Sequence, residues 1–306
     1  MAGTSELVVE CLSSHQSFVV EAGAGSGKTR TLVDALIYLL ANRAQELLTC
    51  NQQIVCITYT NVAANEIVAR IDRDPLVRVS TIHEFLWSVI QPFQKEMRSA
   101  ILELNEHAGA KKLEGLDLTG KAIEYWQYQR KWEEGKITHD DVILLSAAMF
   151  HSHSKLSRLV ADLYPIIFVD EYQDTHKLTV ELLFDSLLAR NPNSLTIGLF
   201  GDHMQRIYNT GVGKVERPEV RVIQKRENYR CSLSVIGVLN QLRPELQQVP
   251  GGANEAGSAR FFYAAQDAPP NPVAALRTQL HAEDWTEESE KVLMLYALPT
   301  LSAVRG

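Results

Sequence analysis

No run of apolar residues in this sequence reaches the ~18 that a membrane-spanning helix needs. That excludes a helical membrane protein. The first ten residues carry Glu6 and Glu10 and no Lys or Arg, so there is no signal-peptide n-region. Cysteine is scarce: Cys11, Cys50, Cys56 and Cys231 form no C-x-x-C pair and no Cys/His set with zinc-finger spacing. A disulfide scaffold is thereby excluded, and reduced thiols point to a cytoplasmic protein. Positive charge is in deficit as well. Lys and Arg number 30 against 37 Asp and Glu, a net charge of −7. This argues against broad adhesion to nucleic acid but leaves room for a local basic groove.

What is present is an ordinary globular composition. Hydrophobic residues are 45% and charged residues 22% of 306, enough for full cores in about two domains. Short apolar strands alternate with helical patterns over the first two thirds. Strands are expected at 17–22, 54–59, 78–81, 165–170, 195–200 and 220–224, with helices from Lys28 to about Ala44 and from Asn61 to Arg70. Near-continuous apolar strands separated by helices imply an α/β fold, a parallel sheet covered on both faces. Residues 87–155 differ: helical periodicity, many charges and no obvious strand mark a helical insertion. Tyr125, Trp126, Tyr128 and Trp132 read as its small core, with nucleic-acid contact as the alternative. His151 and His153 lack a partner carboxylate set and read as a solvated helix end. After Pro244 the chain turns to Pro/Gly-rich linker material, and one further strand is expected at 291–296.

Two motifs carry chemistry. Ala22-Gly23-Ala24-Gly25-Ser26-Gly27-Lys28-Thr29 lies between a strand and a helix, the setting of a P-loop. Its glycines let backbone N–H groups face phosphate oxygens, and the helix N-terminus adds partial positive charge. Lys28 suits the β/γ phosphates and Thr29 a Mg²⁺ ion. Ala22 stands where the usual pattern has its first Gly. The second motif, Asp170-Glu171-Tyr172-Gln173-Asp174, ends an apolar strand, at the edge where parallel sheets bind ligands. Asp170 is assigned to the metal and Glu171 to the base that orients and deprotonates water. Together the motifs imply a nucleoside triphosphatase.

The chain then resembles the UvrD/Rep/PcrA type of superfamily-one DNA helicase. Residues 22–30 look like that family's motif I, 58–64 like motif Ia, 81–84 like motif Ic, 170–175 (DEYQDT) like motif II, 201–208 like motif III and 228–230 (NYR) like motif IV, all in the family's order. The resemblance covers about residues 1–240. It implies ATP and Mg²⁺ as ligands and a RecA-like P-loop lobe over 1–86 and 156–232, interrupted by the insertion at 87–155. It further implies that Gln205 contacts the γ-phosphate, that Arg230 neutralises charge on the transferred phosphoryl group, and that Tyr229 and Arg30 sandwich the adenine. Thr58, Tyr59, Thr60, Asn61, His83 and Tyr208 would face single-stranded DNA.

The sequence departs from the family in four ways. No Gln stands near Ser5 to Leu7, where the family reads adenine. No Trp follows Tyr208. The insertion is short. Nothing after Ser232 resembles motifs V and VI, so 233–306 is expected to begin a second α/β lobe without completing it. The expectation is therefore ATP–Mg and DNA binding, weak or absent hydrolysis, and no unwinding by this chain alone, since a missing arginine finger costs ~10³-fold or more. A truncated or frameshifted helicase, or a subunit completed by another chain, would account for the shortness. A nuclease partner, as in some bacterial anti-phage systems, fits the second case. The rival reading is a nucleotide-dependent binding module without motor activity. A P-loop kinase would explain the P-loop but not Tyr59, His83 or the 205–208 segment.

Overall fold

The strand Phe18–Ala22 (β1) is buried along its whole length, as are Ile54–Thr58 (β2), Ile166–Asp170 (β6) and Thr196–Gly201 (β7). In the computed structural model, which describes residues 3–126, 128–260 and Thr278, these four strands form the middle of a sheet. Val77–Thr81 (β3) and Arg221–Lys225 (β8) form its two edges. All six strands run parallel in the order β3-β2-β6-β7-β1-β8. Both edge strands carry basic residues, Arg78 on one side and Arg221 and Lys225 on the other. The α/β class and the parallel sheet agree with the sequence reading.

Period-two alternation sends the apolar residues of each central strand to two separate cores. Val19, Val55, Ile57, Ile167, Val169, Ile197 and Leu199 point to one face. Phe18, Val20, Ile54, Cys56, Ile166, Phe168 and Phe200 point to the other. The second face is covered by Thr4–Ser13 (α1), Lys28–Cys50 (α2) and Asn61–Arg70 (α3). Here Phe18, Phe168 and Phe200 pack edge to face, with centroids 5.3–6.2 Å apart. Gly198 lies in register between Phe18 and Phe168, and a Cβ there would stand 2.7–2.8 Å from their rings. Helix α2 runs past the expected end near Ala44, because Leu47 continues its buried stripe and Arg43 pairs with Glu46 along its exposed side.

The first face is covered by helices of the insertion and of the segment after it: Ile82–Ile90 (α4), Gln94–Glu106 (α5), His139–Ser152 (α6), Ser154–Leu163 (α7) and Lys177–Glu181 (α8). The insertion also contains a short parallel strand pair, Glu124–Tyr125 (β4) with Lys136–Ile137 (β5), which corrects the expectation of helices alone. Gly135, at φ 76°, leads the chain into β5, and two residues are too few to show a period. The aromatic cluster is also divided. Trp132 is buried and Tyr125 packs against the core, whereas Trp126 and Tyr128 are exposed. His151 and His153 are exposed at the end of α6, as expected.

The chain divides into two units, Met1–Ser258 and Ala259–Gly306, and the site lies in the first. That unit extends beyond residue 232 to include Leu233–Leu242 (α9) and a strand pair, Glu227–Asn228 (β9) with Val249–Pro250 (β10). The strand expected at 291–296 lies outside the described residues. Among the described residues no helix is long and apolar enough to cross a membrane.

Candidate nucleotide and nucleic-acid site

The strand order explains how distant motifs meet. The P-loop leaves the C-terminal end of β1, the acidic motif leaves β6, and β7 lies between them. The segment leaving β7 must therefore stand between Lys28 and Glu171, and that segment is Asp202 to Gln205. Residues 23–30, together with Glu66, Arg70, Glu171, Gln205 and Arg230, line one cleft of about 480 Å³. Ala22 is the last residue of β1 and is buried. The loop turns through Gly25 and Gly27, both at φ 77°, a conformation glycine reaches without a steric penalty. It is also held internally, since both the amide and the hydroxyl of Ser26 donate to Gly23 O, at 3.2 and 2.6 Å.

Five residues close a ring at the cleft floor. Lys28 Nζ lies 3.3 Å from Glu171 Oε2 and donates to Gln205 Oε1 at 3.4 Å. Gln205 Nε2 donates to Asp202 Oδ2 at 2.6 Å. The Asp202 amide donates to Gln173 Oε1 at 3.0 Å, and Gln173 Nε2 returns to Glu171 Oε2 at 2.8 Å. Asp202 is fully buried and is paired by Arg243 Nη1, 2.7 Å from each carboxylate oxygen. Below it, buried Glu21 accepts from the Tyr172 hydroxyl and lies 3.1 Å from His203 Nδ1.

The two consecutive acids of the motif have different surroundings. Glu171 adopts a left-handed φ of 48°, which turns the chain sharply after β6 and brings its carboxylate to Lys28. Asp170 is 5% exposed. Burial first, and the neighbouring Glu171 charge second, push its carboxyl up to about 7, against the opposing pull of the Glu171 amide and of Lys28. Thr29, the other expected metal residue, is half-buried in the cleft. A buried carboxylate whose ionisation is opposed by a second carboxylate is the kind of group that a hard divalent cation stabilises; Thr29 lines the phosphate cleft, whereas Asp170 lines a second, adjoining cleft. Tyr229 and Arg30 both flank Gly27, each within 4 Å of where its Cβ would lie, and both are exposed; Arg30 lines the cleft, and the Tyr229 ring carries Lys225 Nζ 5.6 Å from its centroid.

A second cleft of about 200 Å³ adjoins the first, with Asp170 in its wall. Four of the six expected DNA-facing residues, Thr58, Tyr59, His83 and Tyr208, line it, as do Asp140, Asp174 and His176. Tyr59, just beyond the end of β2, stacks on Tyr208 at 5.3 Å and 29°. Thr58 is buried, and its hydroxyl donates to Thr60 O at 3.1 Å. Thr60 caps α3 by accepting from the Ala63 amide at 3.2 Å, and Asn61 is exposed on the first turn; neither lines the cleft. His83 packs edge-on against His139 at 4.7 Å. Burial, and then His139, lower its proton affinity. The clefts share a turn: Gln173 belongs to the ring, and the next residue, Asp174, accepts the Ile207 and Tyr208 amides through Oδ1 at 2.7 and 3.3 Å.

The sequence reading quoted Gln173, Asp174 and Asp202 within motifs but gave them no role. It missed Glu21, Asn228, Asn240, Arg243 and Gln248 as supports of the site. Asn228 had a signal in its motif, whereas Gln248 had none.

Residues 5–211 match the family model for an AAA domain (AAA_19). Gabija protein GajB of Bacillus cereus (strain HuB5-5) is 26% identical, over 83% of this chain and 51% of its own length. ATP-dependent DNA helicase PcrA of Staphylococcus aureus (strain NCTC 8325 / PS 47) is 26% identical, over 81% of this chain and 41% of its own. The crystal structure of Pif1 helicase from Candida albicans aligns with a TM-score of 0.35 and 13% identity, over 73% of this chain and 39% of that one. The chain thus spans about half or less of the length of the curated relatives it matches. It belongs to the AAA domain family, and its likeness to GajB and PcrA marks its first unit as a superfamily-one helicase-like lobe.

Proposed function

We propose that this chain is the ATP-binding part of a UvrD-like DNA helicase or translocase, which binds ATP–Mg in the P-loop cleft and single-stranded DNA along Tyr59 and Tyr208. The observation that carries this reading is the ring Lys28–Glu171–Gln173–Asp202–Gln205, which is joined through Asp174 to the backbone of Tyr208. One hydrogen-bonded turn thus touches both clefts, so a change at the phosphate end has a physical route to the aromatic pair.

The geometry is compatible with the following roles. Lys28 and the loop amides receive the β and γ phosphates. Thr29 and Asp170 would hold a Mg²⁺ ion, which would neutralise phosphate charge. A γ-phosphate competes with Glu171 for Lys28 and so frees that carboxylate, still oriented by Gln173, to accept a proton from an attacking water. Gln205, in contact with Lys28, is placed to report the γ-phosphate to Asp202 and the 205–208 turn. Arg230, on the cleft rim, supplies positive charge where the transferred group accumulates negative charge. Arg30 and Tyr229 flank the base.

We assign the RecA-like lobe to 1–86 and 156–232 and the insertion to 87–155; residues 233–258 belong to the same compact unit as that lobe. Hydrolysis at a helicase's rate and movement along DNA would draw on a second lobe, supplied by further chain or by a partner such as a nuclease subunit. The activity expected of residues 1–258 themselves is nucleotide-dependent DNA binding. The test is phosphate release and fluorescent-ADP binding, with and without single-stranded DNA. Wild type should bind ADP and Lys28→Ala should lose at least tenfold in affinity. Equal binding by both would overturn the reading.

A further inference from the structure

The phosphate loop is held from behind by side chains outside the matched segment 5–211. Asn228 is fully buried. Its Nδ2 donates to Ala24 O and to Gln248 Oε1, both at 2.9 Å, and its Oδ1 accepts the amides of Arg230 and Cys231 at 3.0 and 2.8 Å. Every hydrogen-bonding capacity of this amide is therefore used. Gln248 is 5% exposed and donates through Nε2 to the same Ala24 O at 3.3 Å. Its own backbone is clamped on both sides by Asn240, which accepts its N–H at 2.6 Å and donates to its C=O at 2.9 Å. The Tyr229 amide completes the grip by donating to Gly25 O at 2.9 Å.

These contacts set a direction. In a planar trans peptide the C=O and the next N–H point opposite ways. Two donors that draw the Ala24 carbonyl toward Asn228 and Gln248 aim the Gly25 N–H away from them. Gly25 lines the phosphate cleft.

We propose that Gln248, set in place by Asn240 and Asn228, is a positioning residue for the phosphate loop, so that nucleotide affinity is controlled from the 228–248 segment. This rests on the reading that the loop binds a nucleoside phosphate. Gly23 gives the proposal a specific signature. It is not among the glycines with positive φ, so its backbone accepts a side chain. A Cβ there would stand 2.3 Å from Gln248 Nε2 and 3.0 Å from Gln248 Cδ, while the next neighbour, Leu246 Cδ2 at 3.5 Å, is in ordinary contact. Alanine at 23 is obstructed by Gln248 alone.

The experiment is a fluorescent-ADP titration with Mg²⁺ on the full chain, with circular dichroism and melting to establish that each variant is folded. Gln248→Ala should weaken binding roughly three- to tenfold, the range of one lost buried hydrogen bond. Asn240→Ala, which touches neither loop nor cleft, should weaken it in the same direction, and it carries the test if Gln248→Ala does not fold. Gly23→Ala should weaken binding in the wild-type background but change it less than about twofold once Gln248→Ala has made room, a non-additivity that a general loss of stability does not produce. Wild-type affinity in folded Gln248→Ala or Asn240→Ala, with Lys28→Ala still defective, would overturn the strut alone, as would additivity of Gly23→Ala and Gln248→Ala. Undiminished binding by Lys28→Ala would overturn the nucleotide reading and the strut with it.

Discussion

Replacing Asp170 by Asn should stabilise the nucleotide-free protein while abolishing its response to Mg²⁺. The carboxyl is 5% exposed and titrates at about 7 instead of 3.8. At ~1.4 kcal/mol per pH unit, the rise from 3.8 to about 7 sets a ceiling of about 4 kcal/mol on the cost of keeping it charged in the fold. Asn is isosteric and can still accept the Glu171 amide, which Asp170 Oδ1 accepts at 3.1 Å. A gain of about 2–4 kcal/mol at pH 8 is therefore expected. The sign of the pH dependence is fixed. Between about pH 4 and 7 the folded state holds a proton that the unfolded chain has released, so wild-type stability falls as pH rises through this window and levels off above it. The advantage of the Asp170→Asn variant over the wild type should thus be largest above pH 7 and vanish near pH 4. Urea unfolding of both proteins at pH 4.5, 6 and 8, each with and without Mg²⁺ and ADP, gives both readouts. Wild type should gain stability from Mg²⁺–ADP over ADP alone, and the variant should not. A variant less stable than wild type at pH 8, or a difference independent of pH, would refute the reasoning.

Tyr59→Ala and Tyr208→Ala should each weaken single-stranded DNA binding by about 1–3 kcal/mol, the range for one stacked base, and leave ADP affinity unchanged. Because the two rings stack on each other at 5.3 Å, their double variant should lose less than the sum; fluorescence anisotropy of a labelled oligonucleotide measures this. Arg243→Ala should cost about 3–5 kcal/mol in denaturant unfolding, because it strands the buried Asp202 carboxylate. Arg243→Met combined with Asp202→Asn should recover much of that loss.

The central strands and the two chemical motifs are legible from sequence because their causes are local. Short Val-, Ile- and Phe-rich runs bounded by turn residues favour strands buried on both faces, and a Gly-rich turn followed by Lys28-Thr29 favours a phosphate cradle. Burial within the aromatic cluster is less local. Trp132 and Tyr125 face the core while Trp126 and Tyr128 do not, a choice made by a two-residue strand pair too short to leave a period. The wiring of the site is not local at all. Asp202 joins Gln205 to Gln173 because β7 is threaded between β6 and β1, an order that no stretch of residues declares. Gln248 reaches Asn228 across 20 positions and the phosphate loop across 224. Sequence alone thus determined which residues carry charge, hydroxyl and backbone freedom. Only the tertiary fold decided which of them share a hydrogen bond, because that depends on strand order and on where a long segment returns.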